Sequence, residues 1–296
     1  MTKWLFHRKL AADFTPKSLR ELLADNWLVP KYLIRQLRIN KHVLVNQQYL
    51  PVNSLVGPND QLDLQFDLND FAHLPAAITV DPTNSVTPVY EDANLLIVNK
   101  RRGDKTHPNQ PNELGSTLNF TANYLQVKGE QPFMVHRLDM ETSGALIIAK
   151  NPVVVPILNR QISTKSIQRT YLTWVHGTDL PTSGRIDLPI GRDPDDKRKR
   201  KINGQSAQSA VTNYQVMKAE KEYSLLQVKL ETGRTHQIRV HLAAIGHSLV
   251  GDPLYSQDYP SQPMLLHSWR IEFPLPFSDD WQEVEAPIPP DFMPLN

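Results

Sequence analysis

The chain has no cysteine, and that absence removes disulfides, thiol nucleophiles and zinc–thiolate sites together. Whatever chemistry occurs must use oxygen or nitrogen side chains. Long apolar runs are missing too: no stretch approaches the roughly eighteen consecutive apolar residues of a membrane-spanning helix. The start, Met1-Thr2-Lys3-Trp4-Leu5-Phe6, lacks the apolar segment of a secretory signal, so no membrane association and a cytoplasmic location are expected. Bulk charge is also absent, since 32 basic and 31 acidic residues leave a formal +1. That argues against a protein that coats nucleic acid by overall charge. If RNA is a partner, its phosphates must be met by local basic patches.

What is present suffices for one large domain and a small one: 296 residues, of which 40% are hydrophobic. Residues 18–66 read as a small module. Ser18 caps a short helix over Leu19 to Leu23, and Pro30 marks the break before a second. In that second helix Leu33, Ile34 and Leu37 share a face, while Lys31, Arg35, Arg38 and Lys41 form a separate positive stripe. Val43 and Val45 alternate as a short strand, as do Leu62, Leu64 and Phe66, with Gly57-Pro58-Asn59-Asp60 as the turn between them. A stripe of one sign favours RNA contact over a merely solvated face. Prolines 75, 82 and 88 among small and polar residues mark a linker over 68–88. From Val89 onward short apolar runs alternate with turns. The expectation is an α+β protein: a large mixed, mainly antiparallel sheet with flanking helices over 89–296, a linker, and a small α/β module over 1–67. Lys197, Arg198 and Lys199 begin the single block of like charge, in a loop suited equally to solvent or to an RNA backbone.

The most informative segment is Met134-Val135-His136-Arg137-Leu138-Asp139-Met140-Glu141-Thr142-Ser143-Gly144, followed by the apolar run Ala145 to Ala149. Such a run, bounded by a turn, reads as a strand buried on both faces. Asp139 therefore lies on a loop pinned to the sheet, where a functional group can be held rigidly. An isolated aspartate before Thr-Ser-Gly would ordinarily be a turn residue. Here the whole segment resembles the catalytic motif of the RluA-type pseudouridine synthases, with Asp139 at the position of the nucleophilic aspartate.

The resemblance continues in register. Val89 to Lys100 resembles the family's first motif, although Arg101 stands where the family usually has proline. Gln168-Arg169-Thr170-Tyr171 resembles the second, which makes Tyr171 the active-site tyrosine. Thr232-Gly233-Arg234-Thr235-His236-Gln237-Ile238-Arg239-Val240-His241 resembles the third and extends to Gly251-Asp252 and Tyr255. By alignment Arg239, rather than Arg234, pairs with the aspartate. Physically, Ile238, Leu242 and Ile245 mark the buried face of a helix ending at Gly246, with Arg239 in its first turns and off that face. His236 and His241 diverge by more than a right angle on such a helix, so no metal site is expected. The N-terminal order resembles an S-four-like RNA-binding domain.

The resemblance implies an RNA pseudouridine synthase that flips a uridine out of the stack and isomerises it without a cofactor. Asp139, Tyr171 and Arg239 would be catalytic; Arg137, His136, Arg234 and Lys100 would contact substrate. The implied partner is RNA, ribosomal in preference to transfer, and the implied enzyme is a monomer. An ionised carboxylate in a buried site needs an opposing charge, which Arg239 supplies. Two rival functions are weaker. A non-catalytic RNA-binding or ribosome-assembly factor has no need of this residue set, and a retaining glycosidase needs a second carboxylate close by.

Overall fold

The structure, a computed structural model, describes residues 3–257 and 261–295. Alternation of side chains builds the N-terminal sheet. Leu62, Leu64 and Phe66 lie on one face of the strand Gln61–Asp67 and are almost wholly buried. That strand pairs with Lys3–Lys9 on one side and with Val43–Val45 on the other, both antiparallel. Val43–Val45 turns into Gln48–Tyr49 through Asn46 and Gln47, whose φ angles of 51° and 68° suit a two-residue hairpin. Two short strands, Gln48–Tyr49 and Leu55–Val56, thus intervene before the turn at Gly57 to Asp60, which leads into Gln61–Asp67. Ser18 does cap a helix, accepting the Glu21 amide at 3.2 Å, but that helix is only Leu19–Glu21 and widens into a π-turn over Leu22–Asn26. The helix Lys31–Asn40 buries Leu33, Ile34 and Leu37 and leaves Lys31, Arg35, Arg38 and Lys41 exposed, as its periodicity requires.

The fold class is α+β. Among the described residues a ten-stranded sheet forms the large domain. Its main path runs Ser183–Asp187, Val211–Glu220, Tyr223–Leu230, Gln168–His176, Leu266–Pro274, Ser143–Ala149, Leu95–Lys100, Pro88–Glu91. Neighbours are antiparallel except at the centre, where Ser143–Ala149 runs parallel to Leu266–Pro274. The Thr-Ser-Gly segment is therefore the start of this central strand and not a turn; the turn is at Met140 and Glu141, closed by the Thr142 amide on the Asp139 carbonyl at 3.1 Å. Gly144 is required there. Its φ is 107°, and a Cβ would stand 2.2 Å from the Ser268 carbonyl oxygen.

Helices Thr117–Gln126 and Val154–Ser163 pack beside the sheet. The first begins at a capping box between Ser116 and Asn119. Asn119 also donates to the Thr79 carbonyl at 2.8 Å, while buried Asp81 accepts from the Gly115 amide at 2.9 Å. The proline-containing stretch is thereby tied to the large domain. The N-terminal module shares that domain's core through Phe277, between the strands Leu266–Pro274 and Trp281–Glu285. Its ring lies 4.5 Å from Phe6, 5.8 Å from Trp27 and 6.4 Å from Phe66. Arg8 donates to the Phe277 carbonyl at 3.0 Å, and Arg160, on the helix Val154–Ser163, donates to that of Leu28 at 3.2 Å.

Candidate active site

Two loops meet above the central parallel pair of strands. The loop carrying Asp139 is held from below by residues 100–106. Thr106 Oγ1 donates to the Leu138 carbonyl at 2.6 Å and accepts the Leu138 amide at 3.1 Å. The Gly103 amide and the Lys100 ammonium both donate to the Met140 carbonyl, each at 2.9 Å. Lys100 also donates to the Arg101 carbonyl at 2.8 Å and is 1% exposed. Burial lowers its pKa to about 8, against the raising influence of Asp104, Glu141 and Asp139. Lys100 therefore sits under the loop and not on the cleft. Where proline would have stiffened residue 101, the Arg101 side chain does so, through Asp104 at 3.1 Å and Asn84 at 2.9 Å.

The second loop leads into the helix Gln237–Ala244. Arg239 in its first turn is 3% exposed; the helix turns it inward rather than off the buried side. Its guanidinium joins two carboxylates. Nε and Nη2 grip Asp252 at 2.7 and 2.8 Å, and Nη1 donates to Asp139 Oδ2 at 3.0 Å. Asp252 is wholly buried and accepts the Leu254 and Tyr255 amides as well, at 2.8 and 3.1 Å. Burial opposes the charge on Arg239, but Asp252 and Asp139 more than offset it and raise its pKa. The Tyr255 ring lies 5.2 Å from the guanidinium. Among the described residues, Asp139 receives this guanidinium bond and no hydrogen bond from the helix amides.

Asp139, with a side chain 21% exposed, opens onto a cleft of about 640 Å³. Tyr171, buried in the strand Gln168–His176, lines it with Leu230, Ile238 and Leu266. His136 and Arg137 also line it. The His136 Nε2 accepts the Ile147 amide at 3.0 Å, which fixes a neutral ring with its proton on Nδ1. Burial, then the charge of Arg169, lowers its pKa to about 3. Arg234 stands at the rim, its Nε on the Ser209 carbonyl at 3.0 Å. Two further cations line the cleft, Lys165 and Arg169. Among the described residues none of Arg137, Lys165, Arg169 and Arg234 forms a salt bridge. Burial, followed by the charges of Arg169 and Arg234, lowers the Lys165 pKa.

The structure thus gathers Asp139, Arg239, Tyr171, Arg137, His136 and Arg234 around one cleft. Lys31, Arg35, Arg38 and Lys41 lie elsewhere, on the N-terminal helix, and Lys197, Arg198 and Lys199 lie outside the cleft lining. Arg198 pairs with Asp196 at 2.7 Å, and Lys199 sits 6.0 Å over the Tyr255 ring. Sequence reasoning assigned no role to Asp252, Tyr255, Lys165 or Arg169. Asp252 is thirteen residues past Arg239 with no shared periodicity, and Lys165 and Arg169 come from a helix end and a strand start. His42, Asp67 and Asp70 bring ligand atoms within 4.8 Å of one another. They lie in the N-terminal module, and both Asp70 oxygens are taken by Asn40 and the Asp67 amide.

Residues 94–244 match the family model of RNA pseudouridylate synthases. The chain belongs to the RNA pseudouridylate synthase family. Its activity class is accordingly that of an RNA pseudouridine synthase, an isomerase. Residues 6–62 match the RluD ribosomal pseudouridine synthase N-terminal domain. The synthase is 35% identical, over 88% of its chain and 86% of the relative, to the uncharacterized RNA pseudouridine synthase YhcT of Bacillus subtilis. It is 36% identical, over 77% of its chain and 67% of the relative, to the ribosomal large subunit pseudouridine synthase D of Nitrosomonas europaea. Human RNA pseudouridylate synthase domain containing 1 superposes with a TM-score of 0.57 at 26% identity, covering 70% of this chain and 86% of that one. Human RNA pseudouridylate synthase domain containing 4 shares the fold, with a TM-score of 0.59 at 22% identity over 70% and 90% of the two chains. No helix among the described residues is long and apolar enough to cross a membrane.

Proposed function

We propose that this synthase converts specific uridines of ribosomal RNA to pseudouridine, with Asp139 as the reacting carboxylate. The observation that carries the reading is the Arg239 bridge. A buried guanidinium locked by Asp252 offers its remaining N–H to Asp139 at 3.0 Å, on the wall of a cleft open to solvent. This pairs a carboxylate with a fixed cation and orients it where a nucleotide can enter. The isomerisation breaks a carbon–nitrogen bond and forms a carbon–carbon bond on the same base, with no net redox change or hydrolysis, so the reading needs no cofactor. The uridine must leave its stack, at a cost of roughly a few kcal/mol. Arg137 fills the vacated place and Tyr171 packs on the extruded base. Asp139 acts on the ribose side, and Tyr171 takes the final carbon 5 proton.

A ribosomal target is supported by relatives named as large-subunit synthases and by the ribosomal N-terminal domain match. In this reading the enzyme works as a monomer in the cytoplasm. Arg137, Lys165, Arg169 and Arg234 hold phosphates beside the target, and Lys31, Arg35, Arg38 and Lys41 hold RNA further away. The basic loop of Lys197, Arg198 and Lys199 contacts the RNA backbone. The test is pseudouridine mapping of ribosomal and transfer RNA from cells lacking the protein, with wild-type or Asp139→Asn copies restored. Sites in ribosomal RNA that vanish and return only with the wild-type copy are expected. Sites lost from transfer RNA alone would overturn the target. Sites restored equally by Asp139→Asn would overturn the role of the carboxylate.

A further inference from the structure

His236 stands beside Asp139 with an arrangement that neither the fold nor the Arg239 bridge requires. It precedes the helix Gln237–Ala244 in the left-handed region, at φ 58° and ψ 19°, and its side chain makes no capping bond. A non-glycine residue is uncommon in that region, and the turn leaves the imidazole on the cleft wall. The imidazole and the Tyr255 ring stand nearly perpendicular, with centroids 5.8 Å apart. Nδ1 lies 3.1 Å from the Tyr255 hydroxyl, and Nε2 lies 3.8 Å from Asp139 Oδ2, on the cleft wall.

The proton position follows from these neighbours. Burial lowers the His236 pKa to about 4, so the ring is neutral and carries one proton. Burial also raises the Tyr255 pKa to about 12, so the phenol keeps its hydrogen. The Tyr255 oxygen already accepts the Arg200 amide at 2.7 Å. Its hydrogen can go to the Arg200 carbonyl at 3.3 Å or to His236 Nδ1 at 3.1 Å. The first choice would aim a lone pair of Nε2 at the Asp139 carboxylate. The second puts an N–H there, which is electrostatically favoured. Tyr255 thus donates to Nδ1, and Nε2–H points into the cleft beside Asp139. At 3.8 Å that N–H is too far from the carboxylate for a good hydrogen bond and is left to serve a substrate atom that enters the cleft beside Asp139.

We infer that His236 Nε2–H donates to the carbonyl at carbon 2 of the target uracil, steadying the base while its bond to ribose is broken. The inference rests on Asp139 acting at the ribose. Carbon 2 is bonded to the nitrogen that leaves the sugar, so its oxygen lies next to the reacting bond. When that bond breaks, its electron pair leaves on uracil and spreads over nitrogen 1 and the two carbonyl oxygens. Ribose carbon 1′, left short of that pair beside the Asp139 carboxylate, then takes the pair at carbon 5 as the new bond; the carbon 5 proton departs, and nitrogen 1 gains one from solvent. His236 keeps its proton throughout and acts only as a fixed donor, aligned by Tyr255.

The test compares wild type and His236→Ala in single turnover on ribosomal RNA fragments with uridine, 2-thiouridine or 4-thiouridine at the target. Removing such a donor is expected to slow conversion about a hundredfold with RNA affinity unchanged. Sulfur at carbon 2, a poor acceptor, should slow the wild type but leave His236→Ala almost insensitive, while sulfur at carbon 4 should affect both alike. Tyr255→Phe should fall between them. His236→Asn, which tolerates the left-handed backbone, guards against misfolding and should be as insensitive to the carbon 2 sulfur as the alanine. Equal slowing of all the proteins by sulfur at carbon 2 would overturn the inference, as would a His236→Ala rate close to that of wild type. Full activity of Asp139→Asn on the same fragments would instead remove the reading beneath it.

Discussion

Two aspartates share Arg239 and stand in opposite circumstances. Asp252 is buried, bidentate and bonded to two amides, whereas Asp139 receives one guanidinium bond and faces the cleft. Asp139→Asn is therefore expected to abolish turnover while leaving the urea midpoint and RNA affinity nearly unchanged. Asp252→Ala strands a buried cation and should cost about 3–5 kcal/mol of stability, measured by urea unfolding, with activity lost because Arg239 is no longer aimed. If the two variants exchanged these behaviours, Asp139 would be the structural residue. Buried histidines add a pH dependence. His136, His236 and His267 have pKa values lowered to about 3, 4 and 4, burial being the largest cause for each. Such a group resists protonation when folded and accepts it near 6.5 when unfolded. Its contribution to stability is complete above about pH 6.5 and is lost as pH falls from there toward about 4, at up to about 1.4 kcal/mol per pH unit for each histidine. The urea midpoint should fall across that window, and His267→Gln should flatten the fall.

Strands and helices set where these residues stand. The central parallel pairing brings Ser143 and Gly144 against His267 and Ser268, directly behind the Asp139 loop. Gly144→Ala would force the two strands apart and, with the strained φ, should cost at least ~2 kcal/mol. Its activity should fall further than its stability, because the displaced strand carries the catalytic loop with it; activity at full strength in a folded Gly144→Ala protein would contradict that coupling. The helix Lys31–Asn40 and the cleft rim form separate cationic surfaces. Neutralising Lys165 and Arg169 with glutamine should make the salt dependence of RNA binding shallower, by about 0.7 in logarithmic slope for each single-stranded phosphate left without its cation. The same change at Lys31, Arg35 and Arg38 should flatten the slope too, yet leave the single-turnover rate intact. A slope unmoved by either set would take that surface out of the RNA interface.

Across the whole molecule the N-terminal module is packed onto the large domain through the Phe277 plug. Phe277→Ala should cost about 3–5 kcal/mol, and deleting residues 1–67 would expose Phe277 as well as remove the basic helix. Deletion therefore confounds RNA affinity with folding, which charge substitution avoids. Much of the design is legible in the chain itself. The alternation of Leu62, Leu64 and Phe66, the positive stripe at helical spacing, the doubly buried run after Asp139 and the helix ending at Gly246 are local patterns, governed by side-chain period and backbone sterics. The motif residues Asp139, Tyr171 and Arg239 are readable as a resemblance. What linear spacing does not encode is which partners meet across long separations. Arg239 turns inward because Asp252 is there to neutralise it, and Lys100 goes under the loop because the Met140 carbonyl lies within reach. Lys165 joins Arg169 and Arg234 because a helix end, a strand start and a loop converge on one rim. Sequence alone determined the strongly periodic elements and the chemical types at the site. Tertiary structure decided their pairing, since burial and charge compensation depend on distances that only the packed chain defines.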